Sequence, residues 1–258
     1  MFPSIRRHWL VERAKGRKSN MRALNQPIVE KNRRRIGGEA TGRAERALPG
    51  THERVVETAL QHAAPGVRSL DLGAGSGALA ERLLRAGYQV TSADVANYFE
   101  LETEFVEIDF NDPNFDKRLP QGFGLITSVE VIEHLENPTA FLRSIARLLA
   151  PDGIAILTTP NIENVAARIK FFIGGKVRAM DVNAPEHITP IHLDLFVRQV
   201  VPRTGLELVD HFVHPNGDFP LTGRRYFVPL FRMLAPFLRG PALTGDCHFF
   251  VLRRGKQI

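Results

Sequence analysis

The run Ser128-Val129-Glu130-Val131-Ile132-Glu133-His134-Leu135 gathers two carboxylates and an imidazole in a short stretch of chain. Glu130, Glu133 and His134 stand at i, i+3 and i+4, so a helical turn here would put all three on one face. Such a trio can move protons, because an imidazole with an unperturbed pKa of about 6.5 titrates near working pH. It can equally hold a divalent ion, and mixed oxygen and nitrogen ligands point to Mg²⁺ or Mn²⁺ rather than a thiolate-bound zinc. The plain structural alternative has Glu130 capping backbone N–H groups while Glu133 and His134 form a satisfied polar patch.

A second constellation lies upstream. From Leu70 to Ala80 an apolar run ends in Asp71 and then meets Gly73, Gly75 and Gly77 before a helix-like segment. Without Cβ atoms these glycines let the chain turn sharply after a strand and let a ligand lie on main-chain N–H groups at a helix N-terminus. The spacing Gly73-x-Gly75-x-x-Ala78 also satisfies a relaxed dinucleotide fingerprint, so the loop alone leaves two nucleotide cofactors open. The next strand-like run ends in Asp94, about 20 residues on, where either cofactor would place its ribose hydroxyls. The run after that ends in Asp109 and Phe110, a carboxylate for an exocyclic amine and a ring for an apolar face, which suits adenine. Taken one by one, the three acids could instead be ordinary turn formers at strand ends.

On these residues the chain resembles class I S-adenosylmethionine-dependent methyltransferases over roughly residues 50 to 254. The resemblance implies that Asp71 with Gly73, Gly75 and Gly77 cradles the methionine part of the donor. It further implies that Asp94 holds the ribose, that Asp109 and Phe110 frame the adenine, and that Val129 joins the donor site. The run Glu130-Val-Ile-Glu133-His134 is similar to the corresponding segment of ubiquinone-biosynthesis O-methyltransferases and of small-RNA 2′-O-methyltransferases, where it is associated, with a later His, with a divalent metal. That later residue would be His187, in Pro185-Glu186-His187-Ile188-Thr189-Pro190, with His192 as a rival; an aromatic is usual near the position that His192 fills. The implied metal set is Glu130, Glu133, His134 and His187, and the implied catalytic set is His134, Glu130 and Glu133.

The elements needed to position these groups are legible in the pattern. Strand-like runs fall at about 67–71, 88–94, 105–109, 123–128, 153–159, 206–213 and 247–253, with helix-like segments between most of them. Apolar runs alternating with helices predict a Rossmann-like, seven-stranded, mostly parallel sheet with an antiparallel last strand and helices on both faces. A helix over 137–149 follows from Asn137 as cap, Pro138 at the next position and the stop at Pro151-Asp-Gly153. Another over 52–62 would carry Val55, Val56, Ala59 and Leu60 inward. A dehydrogenase of this length would need a separate substrate domain, and none is evident.

Length and composition set the outer bounds. The chain has 258 residues, 43% hydrophobic, enough for one good-sized core plus an extension. A single cysteine, Cys247, excludes an internal disulfide, and no apolar stretch approaches the roughly 20 residues that span a bilayer, so a cytoplasmic location, peripheral at a membrane in one reading, is the expectation. Residues 1–46 hold 13 Lys or Arg against 4 Glu, a net of +9 within an overall +6, which leaves about −3 for the rest. This predicts a basic, flexible N-terminal arm over 1–46 and a methyltransferase domain over 47–258. Arg6-Arg7, Lys15, Arg17-Lys18 and Arg33-Arg34-Arg35 could track phosphates, but Phe2 and Trp9 are the arm's only aromatics for base stacking. Met21 is an alternative start, and the Arg-rich opening also fits an organelle-targeting peptide.

Substrate-lid insertions are expected near 160–195 and 214–246. Phe171-Phe-Ile-Gly-Gly175 and Tyr226 to Leu238 are apolar and aromatic, interleaved with Arg224, Arg225, Arg232 and Arg239. A greasy lid flanked by cations suits a lipid-like acceptor or a membrane surface, and core packing or a dimer seam would write the same pattern. Asn161 either touches substrate or makes a local turn bond. The functional expectation is O-methylation of a small or lipid-like hydroxylated acceptor with S-adenosylmethionine as donor. RNA 2′-O-methylation is the alternative, favoured by the basic arm. A non-catalytic nucleoside-binding module is the third, and intact Glu130, Glu133 and His134 argue against it.

Overall fold

Ser69 to Leu72 are all buried, so the first strand, β1 (Arg68–Leu72), must be covered on both faces. In the computed structural model, which describes residues 43–45, 47–99, 101, 103–180, 184–215, 233, 237 and 242–255, it lies in the middle of a seven-stranded sheet. The chain order is α1 (Thr51–His62), β1, α2 (Ala78–Arg85), β2 (Gln89–Asp94), β3 (Glu104–Glu107), β4 (Phe123–Val129), α3 (Pro138–Leu148), β5 (Leu149–Pro160), α4 (Val165–Gly174), β6 (Leu206–His214) and β7 (Cys247–Arg254). The spatial order is β3-β2-β1-β4-β5-β7-β6, parallel from β3 to β5, with β7 antiparallel to both β5 and β6. The order reverses at β1, so β1 and β4 flank the switch point where a doubly wound sheet opens a crevice at its carboxyl edge.

Strand alternation splits the core in two. One face carries Leu70, Leu72, Ile126, Leu157 and Phe250 against α3 and Phe196; the other carries Leu125, Ile156, Phe249 and Val251 against Val55 and Ala59 of α1 and Leu79 and Leu83 of α2. Helix α3 starts as the cap residues require: Asn137 Oδ1 accepts from Ala140 N at 3.0 Å, with proline in the first turn.

Three local expectations give way. Strand β5 begins at Leu149, directly after α3, because the pairing with β4 shifts between Phe123 and Leu125 and absorbs Pro151 to Gly153 as an irregularity within the strand. Leu60 is exposed, since the inner face of α1 runs through Thr51, Val55, Thr58 and Ala59. Strand β3 stops at Glu107, which leaves Asp109 and Phe110 beyond its end. The arm up to residue 42, with Arg46, and most of the expected lid over 214–246 lie outside the described residues. Residues 43–45 are described, and they lie against α2.

Candidate functional site

The glycine turn is held by hydrogen bonds to the tip of β2. Gly73 N and Ala74 N donate to the Ala93 carbonyl at 2.8 and 3.2 Å, and Gly75 N donates to Asp94 Oδ2 at 2.8 Å. Asp94 Oδ1 takes the Val95 N–H at 2.7 Å, so this carboxylate aligns the loop as well as ending its strand. Gly73 has φ 83° and a Cβ there would sit 2.3 Å from Val131 Cγ2; side-chain absence at this point is a packing requirement. Gly75 differs: at φ 54°, a Cβ would find only the Gly73 carbonyl oxygen, at 3.9 Å. Among the described residues, nothing else fills the space in front of Gly75.

Asp71 sits beneath this turn with 2% of its surface exposed. Its Oδ1 accepts the Thr127 hydroxyl at 2.9 Å across the β1–β4 pair, its Oδ2 has no partner among the described residues, and burial pushes its pKa up to about 7. A buried carboxylate oxygen without a donor is costly unless a ligand supplies one. At the β3 end, Asp109 is exposed and takes the Asn111 N–H at 2.9 Å. Phe110 is 7% exposed, its ring 5.4 Å from Phe115 and 5.8 Å from Phe141 between centroids, so it is a core member. Shortly after Asp94, Val95 and Tyr98 are exposed, two residues that no sequence signal singled out. Val129 ends β4, partly buried against the α1 side of the sheet.

The acidic run after β4 does not form one helical face. Glu130 takes φ 53°, an uncommon conformation for a non-glycine residue, and only Ile132–His134 form a 3₁₀ turn. Glu130 Oε1 accepts from the Thr158 hydroxyl at 3.1 Å and from Cys247 Sγ at 3.0 Å, whereas Glu133 Oε2 accepts from the Thr159 hydroxyl at 3.0 Å. Thr158 and Thr159 are consecutive strand residues whose side chains leave opposite faces of the sheet. The two carboxylates are therefore anchored on opposite sides of the β5 tip.

His187 takes the place that Glu130 was expected to share. Ile188 N and Thr189 N both donate to the Glu133 carbonyl at 2.9 Å, and the Thr189 hydroxyl donates to the Leu135 carbonyl, which stitches the 184–190 loop onto the 3₁₀ turn. His134 and His187 then meet edge to face, ring centroids 4.5 Å apart. One ligand atom from each of Glu133, His134 and His187 lies within 4.8 Å of the others. His134 Nδ1 is 3.2 Å from the Glu186 carbonyl and His187 Nδ1 is 2.7 Å from the Ala179 carbonyl. A carbonyl can only accept, so each ring carries a proton on Nδ1, and in the neutral tautomer so fixed the lone pair is on Nε2. Glu133 Oε1 is buried without a partner, and burial, then the nearby Glu130 charge, raises the Glu133 pKa well above the ordinary range. Burial, then His187, lowers that of His134 and keeps it neutral.

Two further candidates resolve differently. His192 pairs with Glu163 at 3.2 Å, apart from the trio. Asn161 is fully buried; its Nδ2 donates to the carbonyls of Ala242, Thr244 and Gly245 at 2.9 to 3.1 Å, so it ties the 242–246 loop to β5.

The family described as "Methyltransferase domain" matches residues 38–211, well over half of the chain. The chain belongs to that family. It is a class I S-adenosylmethionine-dependent methyltransferase, an enzyme. This methyltransferase is similar to a ubiquinone biosynthesis O-methyltransferase of Xanthomonas campestris, 36% identical over 118 residues, 42% of this chain and 49% of that protein. It is also similar to one from Caulobacter sp., 36% identical over 106 residues, 37% of this chain and 42% of that protein. The chain spans about half or less of the length of these curated relatives. Its fold is shared with a SAM-dependent methyltransferase from Archaeoglobus fulgidus, TM-score 0.52 and 16% identical, covering 79% of this chain and 95% of that one.

The unpartnered Asp71 Oδ2 and the open front of Gly75 fit the donor that the fold implies. Among the described residues, no helix of the methyltransferase is long and apolar enough to cross a membrane. The sequence held no signal for Thr127 or Thr159, whose hydroxyls orient Asp71 and Glu133; the β1–β4 register brings Thr127 opposite Asp71, and the 3₁₀ turn after β4 brings Glu133 to Thr159.

Proposed function

We propose that the methyltransferase moves a methyl group from S-adenosylmethionine to a hydroxyl of a small, lipid-like acceptor, with a divalent ion held by Glu133, His134 and His187. The observation that carries the reading is the trio itself: one ligand atom from each of Glu133, His134 and His187 within 4.8 Å of the others, both Nδ1 atoms bonded to backbone carbonyls, and a buried Glu133 oxygen without a partner among the described residues. These are hard and borderline ligands with no thiolate, which suits Mg²⁺ or Mn²⁺. Bound there, such an ion would lower the pKa of the acceptor hydroxyl and fix its position. Glu133 would give up its proton to ligate. Glu130, held by Thr158 and Cys247, is an acceptor for the hydroxyl proton from the other side of the β5 tip.

The chemistry is in-line displacement: the acceptor oxygen bonds to the methyl carbon, the sulfur–carbon bond breaks, and the hydroxyl proton passes to a base, leaving S-adenosylhomocysteine. Alignment supplies most of the rate. Asp71 and the open face of Gly75 would hold the amino-acid end of the donor and Asp94 its ribose. Asp109 would reach the adenine amine, with Val95 and Tyr98 offering the apolar cover that the core-bound Phe110 ring cannot. Support for a lipid-like acceptor comes from Phe171, Phe172 and Ile173 at the end of α4, exposed by 59, 91 and 78%, and from the names of the relatives.

The test is turnover of labelled donor by the full chain with polyprenylated catechols, short hydroxylated aromatics and RNA, each with Mg²⁺, Mn²⁺ or EDTA. Methylation of a hydroxylated lipid-like acceptor, abolished by EDTA and by His187→Ala, is expected. EDTA-insensitive turnover would remove the ion, and methylation of RNA alone would replace the acceptor.

A further inference from the structure

The residue between the last two loop glycines, Ser76, is gripped from outside the sheet. Its hydroxyl donates to the Ala44 carbonyl at 2.5 Å, and its own carbonyl accepts from Arg43 Nη1 at 3.3 Å. Arg43 Nε donates in turn to Glu81 Oε2 in the first turn of α2 at 2.9 Å, and its guanidinium lies 5.9 Å from the centre of the Phe99 ring. That ring closes the side of Gly77, where a Cβ would come within 2.8 Å of it. One residue on, the Glu45 carboxylate pairs with Arg82, which also binds Glu53 at 2.7 Å; the Glu45 and Arg82 side chains are only 7 and 10% exposed. Residues 43–45 thus cross the loop as a strap fastened at three successive positions.

We propose that this strap holds the glycine turn in its donor-binding form, with Arg43 as a positioning residue for S-adenosylmethionine; the inference rests on the donor site described above. The reason is conformational. Gly75 and Gly77 have φ values of 54° and 76° and, as glycines, could adopt many others. Asp94 fixes the turn on the sheet side through Gly75 N, and Gly77 N bonds back to the Ala74 carbonyl at 2.8 Å; among the described residues, the strap is what holds the Ser76 hydroxyl and carbonyl from outside the turn. A turn free on that side would have to be ordered when the donor binds, and that ordering would be subtracted from its affinity. Arg43 acts through Ser76 and Glu81 and has no need to touch the donor.

The experiment measures S-adenosylhomocysteine binding by calorimetry, donor KM, acceptor KM and kcat, on the full chain and on Arg43→Ala, Arg43→Lys and Ser76→Ala. The control is Arg85→Ala, which breaks another ion pair to Glu81, at 2.7 Å, away from the loop. Loss of one charge-assisted hydrogen bond's worth of ordering predicts a rise of about tenfold in donor Kd and KM for Arg43→Ala. Acceptor KM and kcat at saturating donor should stay unchanged, Ser76→Ala should behave similarly, and Arg43→Lys should recover part of the loss. Arg85→Ala should bind donor as the parent does. A donor Kd for Arg43→Ala within twofold of the parent, or a rise no larger than that of Arg85→Ala, overturns the strap; failure of the parent chain to bind would overturn the donor site itself.

Discussion

Adding one methyl group to Gly73 and, separately, to Gly75 divides folding from binding within a single loop. Both glycines have positive φ, so alanine costs about 1–2 kcal/mol at either position through the left-handed backbone alone. At Gly73 the new Cβ would meet Val131 Cγ2 at 2.3 Å, and Val131 is buried, which adds an overpacking term of about 1–3 kcal/mol. At Gly75 no such term arises, because the nearest atom is 3.9 Å away. Urea unfolding should therefore show Gly73→Ala destabilised by about 2–5 kcal/mol and Gly75→Ala by about 1–2. Calorimetry with S-adenosylhomocysteine should show the reverse order of damage. Gly75→Ala fills the space reserved for the donor and should lose at least about tenfold in affinity, worth about 1.4 kcal/mol. Removing the Val131 methyls supplies the internal check: in the double variant Gly73→Ala/Val131→Ala the clash is gone, and the two costs should combine to less than their sum by about 1 kcal/mol or more. Equal stabilities of the two alanine variants, or unchanged donor affinity in Gly75→Ala, would refute the division.

The remaining predictions follow from buried polar groups. The Asp71 pKa of about 7 lies above its unfolded value near 3.9, so its contribution to stability is fully present below pH 4 and is lost as pH rises through 7, by about 4 kcal/mol at most. The stability of Asp71→Asn relative to the parent, both without donor, should accordingly improve between pH 5 and pH 8; a gap independent of pH would deny Asp71 that titration. A cationic donor group beside Asp71 favours its charged form, so donor affinity in the parent should tighten from pH 6 to 8 and flatten in Asp71→Asn. Asn161→Ala takes the side-chain donor from the Ala242 and Thr244 carbonyls, while the Gly245 carbonyl keeps Asn164 Nδ2 at 2.8 Å, and should cost about 2–3 kcal/mol in urea unfolding, with a much smaller effect when only donor affinity is measured. A fall in activity with unchanged stability would instead return Asn161 to the substrate.

The glycine turn and the strand and helix ends around it were legible because their signals are local. A glycine that must take positive φ, an acid that ends a strand and an asparagine that caps α3 each act on neighbours a few residues away, and the structure places Gly73, Gly75, Asp94 and Asn137 where that logic puts them. The acidic run was misread for the complementary reason. Spacing at i, i+3 and i+4 describes a helix, and what replaces the helix is a single left-handed residue, Glu130, fastened by Thr158 and Cys247 from strands 28 and 117 residues away. Phe110 failed in the same way: a ring after a strand-end acid can face a ligand or the core, and its contacts with Phe115 and Phe141 decided for the core.

The sequence by itself determined the alternation of strands and helices, the class of sheet and the glycine turn after β1, since hydrophobic period and glycine chemistry are properties of short windows. Only the tertiary structure decided which groups face one another across the β5 tip. Adjacent strand residues point to opposite faces, so Thr158 and Thr159 anchor the neighbouring Glu130 and Glu133 from different sides of the β5 tip, while the 184–190 loop, hydrogen-bonded to the Glu133 carbonyl, carries His187 in beside His134. No local pattern encodes such a meeting, because it is set by register and by main-chain bonds between segments more than 50 residues apart.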